Sequence, residues 1–211
     1  MHKQRPSYDY EYLFIEQGFT LIAGVDEAGR APLAGPVSAG AVILDTSAVH
    51  SWLGEVRDSK LLSARMRCKL ESIIQREAIA WGVGMVSHSE IDSFGIARAT
   101  RLAMKKAICK LEPQPQAILV DFLRLPEVFL PQQGITHGDN LSFSIACASI
   151  LAKVARDRLM EEMDEHYPGY GFCHNKGYPT HEHLEALKKR GPCPIHRRSF
   201  SPLKPRLDMD L

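Results

Sequence analysis

Residues 21–44, LIAGVDEAGRAPLAGPVSAGAVIL, decide how this chain is read. Two runs rich in Val, Ile, Ala and Gly, bounded by turn residues, predict strands over 21–25 and 37–44. Between them Gly29, Arg30, Ala31 and Pro32 form a loop, so the two strands make a hairpin around it. Two adjacent acids, Asp26 and Glu27, stand where the first strand gives way to that loop. Two adjacent carboxylates beside an apolar run raise the question of what they are for.

Working outward, residues 79–86 predict a third strand. Met66, Leu70, Ile73 and Ile74 recur at helical spacing behind Ser63, a good N-cap, so a helix follows the DSKLLS stretch. Ile96, Ala99, Ala103, Ala107 and Leu111 stripe a second helix that ends before Pro113. Residues 117–120 form a short buried strand with Asp121 at its carboxyl end. A long helix over 141–166 turns Ile145, Ala148, Ala152 and Ala155 inward and is stopped by Pro168 and Gly169. A last helix over 180–190 begins at a Thr180 cap and ends in Lys188, Lys189 and Arg190, as the helix dipole favours. These elements suit an α/β fold, a mixed β-sheet flanked by helices with a helical C-terminal lobe.

The whole chain sets bounds on this reading. With 211 residues and 45% hydrophobic content it builds one core. The longest apolar run, around 145–152, falls well short of the roughly eighteen residues that suggest a membrane span. The N-terminal stretch lacks the apolar core of a signal peptide, and the five cysteines are odd in number with no C-x-x-C pair, so free thiols and a cytoplasmic location are expected. The net charge of +1 conceals an asymmetry: residues 174–206 hold eight Lys or Arg against two acids, which suits an anionic partner or a solvated basic surface.

Asp26, Glu27, Asp121 and Asp139 share one placement, at strand ends or just before the long helix. In open α/β sheets the crevice lies outside the carboxyl ends of the strands, so these acids converge. Taken singly, each suits a turn or a helix cap. Together they repel one another unless a divalent cation neutralises them. Oxygen-only donors suit Mg²⁺ or Mn²⁺, and two such ions roughly 3.5–4 Å apart are the arrangement that cuts phosphodiesters. Gly29 and Arg30 beside them offer backbone N–H groups and a guanidinium to a phosphate or sugar.

The strings GVDEAGR, PLAGPV, DSK, LVD, GD, ASILAKVARD, KGYPT and HRRSF occur in an order and spacing that resembles bacterial ribonuclease HII over about residues 20–205. That resemblance implies an RNase H-like fold, with an N-terminal extension over 1–19, a catalytic domain over 20–166 and a basic C-terminal lobe over 167–211. It implies an endonuclease that uses Mn²⁺ or Mg²⁺ to hydrolyse RNA in RNA–DNA hybrids. It further implies incision 5′ of a ribonucleotide embedded in duplex DNA, leaving a 3′-hydroxyl and a 5′-phosphate. The family's four catalytic, metal-binding carboxylates fall on Asp26, Glu27, Asp121 and Asp139. Gly29, Arg30 and Ala31 occupy the Gly-Arg-Gly motif that reads the ribose 2′-hydroxyl, and Tyr178 the tyrosine that packs on the next deoxyribose. Lys60, Lys153, Lys176 and Arg198 are expected phosphate contacts, and Asp157 the helix partner of nearby basic residues. A monomer is expected.

Three positions depart from the family pattern: Ala31 for glycine, Phe122 for the glycine after Asp121, and Asn175 for histidine. Only Ala31 touches the selectivity loop. A residue before proline favours the extended region, which alanine occupies comfortably, so Ala31 is expected to keep its N–H in place. A competing reading joins Cys173, His174, Cys193 and His196 into a zinc clip for a nucleic-acid-binding tail. The spacing is unlike the usual two-plus-two zinc pattern.

Overall fold

A computed structural model of the chain describes residues 5–204; Arg206 of the basic segment and the outer ends of the 1–19 and 167–211 segments lie outside them. The hairpin forms as expected. β1 (Ile22–Ala28) pairs antiparallel with β2 (Val37–Ile43), from Ala23 opposite Ile43 to Ala28 opposite Ser38. β2 pairs antiparallel with β3 (Ala80–Val86), while β1 pairs parallel with β4 (Ala117–Asp121) and β4 parallel with β5 (Gln132–Ile135). The order β3-β2-β1-β4-β5 is a mixed sheet.

Both faces of the sheet are covered. On one, Ala23, Val25, Ala39, Ala41 and Ile43 pack against Ala99, Ala103, Met104 and Ala107 of α4 (Ile96–Ile108). On the other lies α5 (Phe143–His166), so close that a Cβ on Gly24 would enter the backbone of Ser144 and one on Gly40 the backbone of Ala148. Glycine there permits direct helix–strand contact. Leu70 and Ile74 of α2 (Ala64–Glu77) cover α5 in turn, against Cys147 and Leu151. Each such wholly buried aliphatic side chain contributes about 1.5–3 kcal/mol. Ser63, Ser142 and Thr180 cap their helices, accepting from the N–H groups of Met66, Ile145 and His183 at 3.2, 3.2 and 3.3 Å.

Several boundaries differ from expectation. β1 runs through Ala28, so Asp26 and Glu27 lie within the strand, opposite Gly40 and Ala39, rather than after it. β3 starts at Ala80, although the Ile79 N–H still bonds the Ile43 carbonyl at 2.9 Å. α4 ends at Ile108, ahead of Leu111, and α5 begins at Phe143. On α5, Ala155 is half-buried and Arg156 takes the inward position instead.

Four elements go beyond the sequence expectations: α1 (Asp9–Ile15), α6 (Phe172–Asn175), β5, and α3 (His88–Phe94), which the Ser87–Glu90 capping box could have announced. α1 is docked by Glu11, whose Oε1 accepts from Ser142 Oγ at 2.7 Å and Ser144 N at 3.0 Å at the start of α5. β5 reads Gln-Gln-Gly-Ile without alternation; its backbone pairing with β4 makes it a strand. The C-terminal lobe, with α7 (His181–Arg190), packs Phe172, Leu187, Cys193 and Ile195 on Met160 of α5. Within it His196 meets His183 at 3.0 Å and the Cys193 sulfur at 3.1 Å. Cys173 instead faces Asp164, whose hydrogen bond pushes its thiol up. The residues of the supposed zinc clip are thus divided between a buried aromatic cluster and the surface.

Candidate active site

Three chain segments bring the four expected carboxylates together. β1 carries Asp26 and Glu27, β4 ends on Asp121, and a short turn over Gly138–Asn140 carries Asp139 ahead of α5. Asp121 Oδ1 accepts the Gly138 N–H at 2.7 Å, which ties the strand end to that turn. A Cβ at Gly138 would stand 2.7 Å from Ile145 Cδ1 and 3.4 Å from Asp121 Oδ1, so glycine is what fits. Asp26 and Asp139 are buried, and the Glu27 N–H bonds Asp26 Oδ1 at 2.6 Å.

The charges are crowded. Burial, then the charges of Glu27 and Asp121, push the Asp26 carboxyl well above the usual range. Burial raises Glu27 too, with Asp121 adding to it against the opposing pull of Arg30. Asp121 is raised by burial and by Asp139, against the Gly138 hydrogen bond. Two cations answer them. Arg30 Nη1 lies 3.3 Å from Glu27 Oε1, and Lys60 Nζ 3.7 Å from Asp139 Oδ2. Burial opposes charge on Lys60, yet Asp58, Asp139, Asp26 and Asp121 together hold its pKa up. As the side chains stand, no group of three or more His, Cys, Asp or Glu among the described residues is arranged to hold a metal ion. The donors still fit a hard divalent ion: all are oxygens, and Glu27 Oε2 is buried with no hydrogen-bond partner.

The loop beside the acids is stitched to the C-terminal lobe. The Leu33 N–H bonds the Gly177 carbonyl at 2.8 Å, which brings the Gly29–Arg30–Ala31 loop and Tyr178 to neighbouring positions. Gly29 has φ +90°, and a Cβ there would collide with the Arg156 side chain. The non-glycine residues with positive φ are Phe122, His137 and Lys176 among the described residues, so Ala31 stays out of the left-handed region. Tyr178 is partly exposed, with Lys153 Nζ 5.8 Å and Arg156 Cζ 5.9 Å from its ring centre.

The four expected phosphate contacts separate. Lys60 stands among the carboxylates. Lys153 is half-buried and bonded to Asp157 at 2.6 Å, with Arg67 3.4 Å from the same carboxylate. Asp157 is therefore the helix partner expected of it. Lys176 Nζ is paired with Glu161 at 2.7 Å, and Arg198 is exposed, its backbone N–H held by Asp92 at 2.9 Å.

Sequence reasoning missed Arg156 and Arg197. Both are wholly buried, and their guanidinium groups bond the carbonyls of the loop and of Lys176. For Arg156 a signal existed, because it follows Ala148 and Ala152 at i+4 steps on the inward stripe. Arg197 had none beyond its place in HRRSF.

The ribonuclease HII family model matches residues 23–202. The chain belongs to the ribonuclease HII family. A ribonuclease HII of Dehalococcoides mccartyi is 55% identical over 203 residues, spanning 96% of each chain. One from Caldanaerobacter subterraneus is 51% identical over 191 residues, 90% of this chain and 78% of the relative. The crystal structure of ribonuclease H2 from Pyrococcus horikoshii superposes with a TM-score of 0.73 at 28% identity, covering 87% of this chain and 95% of the other. As a ribonuclease HII the chain is a divalent-metal-dependent endonuclease of the ribonuclease H class, whose substrates are RNA–DNA hybrids. No helix among the described residues is long and apolar enough to cross a membrane.

Proposed function

We propose that this chain hydrolyses the RNA of RNA–DNA hybrids and incises duplex DNA on the 5′ side of an embedded ribonucleotide, leaving a 3′-hydroxyl and a 5′-phosphate. The observation that carries the reading is the Arg30–Glu27 contact at 3.3 Å, which joins the sugar-facing loop to the carboxylate cluster. A loop in that position selects the phosphate next to a 2′-hydroxyl, because sugar identity is read only by close polar contact.

Asp26, Glu27, Asp121 and Asp139 are the residues that would hold Mg²⁺ or Mn²⁺, two ions in this reading. Bound there, such ions would supply a water of lowered pKa and charge stabilisation for the leaving oxygen. The protein's own part is positional. β1 and the Asp121–Gly138 bond hold the four acids in a common crevice. Lys60 balances their charge, while Gly29, Arg30 and Ala31 approach the ribose. Tyr178 stacks on the following deoxyribose, with Lys153 beneath its ring. Lys176 and Arg198 serve as outer phosphate contacts, the monomer's basic C-terminal lobe lying along the duplex in the cytoplasm.

The test is cleavage of a labelled duplex with one ribonucleotide, with Mg²⁺, Mn²⁺ or chelator, beside an all-RNA/DNA hybrid of equal length. Metal-dependent incision on the 5′ side of the lone ribonucleotide is expected. Hydrolysis of the hybrid alone would remove the ribose-reading half of the proposal.

A further inference from the structure

Arg197 is among the largest side chains wholly buried in the molecule, and every hydrogen bond its guanidinium makes goes to a backbone carbonyl. Nε bonds Gly35 O at 2.9 Å, Nη1 bonds Arg30 O at 2.9 Å, and Nη2 bonds Gly29 O at 2.7 Å and Pro36 O at 2.9 Å. The Phe200 ring centre lies 5.1 Å from its Cζ. Burial, then the neighbouring Arg156, pushes Arg197 down to about 9, which leaves it charged at neutral pH. Burying a charge is expensive, and four carbonyl contacts spread over three nitrogens answer a guanidinium and no other side chain.

These bonds have a directional consequence. Neither the Gly29–Arg30 nor the Arg30–Ala31 peptide is cis, and in a trans peptide the carbonyl and the following N–H point in opposite directions. With the Gly29 and Arg30 carbonyls held inward on Arg197, the N–H groups of Arg30 and Ala31 are turned away from it. Neither donates to a backbone or side-chain group among the described residues. Two successive N–H groups left free on one side of a loop suit a ligand oxygen.

We propose that Arg197 is the positioning residue of the ribose-reading loop, fixing the Gly29 and Arg30 carbonyls inward so that the Arg30 and Ala31 amides present to the sugar 2′-hydroxyl. This rests on the ribose-reading function proposed above. It also accounts for Ala31, since what the site needs at that position is an N–H direction, which Arg197 sets from behind. Lysine at 197 keeps the charge but carries its three donors on one atom, where arginine spreads its donors over three, so it cannot reproduce all four carbonyl contacts.

The test compares the wild type with Arg197→Lys on a duplex carrying one ribonucleotide and on an all-RNA/DNA hybrid, both with Mn²⁺. The ratio of kcat/KM for the lone ribonucleotide to that for the hybrid is expected to fall at least tenfold. General destabilisation lowers both rates together, so a ratio within threefold of wild type overturns the proposal. A wild type that ignores the lone ribonucleotide overturns the ribose reading and this proposal with it. Should Arg197→Lys not fold, Phe200→Leu loosens the guanidinium without removing it. That variant has to lower the same ratio about threefold, and an unchanged ratio again overturns the proposal.

Discussion

Asp121 accepts the Gly138 N–H at 2.7 Å, and this one bond makes the end of β4 and the turn carrying Asp139 a single unit. Backbone geometry therefore holds like charges near one another, whatever their mutual repulsion. Acids gathered this way are held at some expense to the fold when no cation neutralises them.

The first prediction follows from that repulsion. Asp26 is buried among Glu27, Asp121 and Asp139, so Asp26→Asn removes a disfavoured charge without changing the shape of the side chain. The metal-free variant should be more stable than wild type by on the order of 1 kcal/mol, raising Tm by about 2–4 °C. Cleavage with Mn²⁺ should fall roughly a thousandfold or more. Calorimetry with and without Mn²⁺ checks it; a variant with lower metal-free Tm contradicts the repulsion argument.

Ala31→Gly probes the proposed ribose-reading role of the loop after β1. Because Ala31 does not occupy the left-handed region, glycine relieves no strain there. Incision at a lone ribonucleotide should stay within about threefold of wild type, while stability drops by about 0.5–1 kcal/mol from added freedom in the unfolded chain. A hundredfold gain in incision would show that the methyl blocks the sugar.

Phe122 presents the opposite case. It has φ +57° and is 65% exposed, so its ring gains little from burial while its backbone is strained. The left-handed conformation costs a non-glycine residue about 1–2 kcal/mol, part of which the unfolded-state freedom of glycine offsets. Phe122→Gly should stabilise the protein by about 0.5–1 kcal/mol net. Urea denaturation of the two proteins decides it.

A pH effect is expected from the C-terminal lobe. Burial, then His183, lowers His196 to about 4, and the residue is 1% exposed. Its neutral form is the one the fold favours, so its contribution is complete above the unfolded value near 6.5 and is lost as pH falls towards 4. The loss amounts to about 1.4 kcal/mol per pH unit for this one group. Between pH 6.5 and 5, stability of the wild type should fall more steeply than that of His196→Gln by close to one proton. Parallel slopes would show that His196 takes up its proton in the folded state.

Much of the architecture is present in local pattern. The hairpin of β1 and β2, the Ser63 and Thr180 caps, α5 and the placement of Asp121 at a strand end all follow from period and turn chemistry acting over a few residues. The four carboxylates are legible for the same reason, since each stands beside an element whose apolar run announces it. Local pattern ends β1 at Val25 because Asp26 and Glu27 are polar, yet a strand continues wherever a partner supplies its ladder, and Gly40 and Ala39 do. β5 depends wholly on such a partner, and α1 on the Glu11 contact with Ser142 and Ser144 more than 130 residues away.

Arg197 marks the limit most clearly. By composition it belongs to a basic, solvated segment, and by position to a loop. Only the tertiary structure surrounds it with four carbonyls from residues 29–36, because a carbonyl partner leaves no trace in side-chain chemistry and those residues lie over 160 positions earlier. Side-chain type and spacing thus determined which acids gather at one end of the sheet. The long-range backbone bonds of the folded chain decided which way the loop beside them faces.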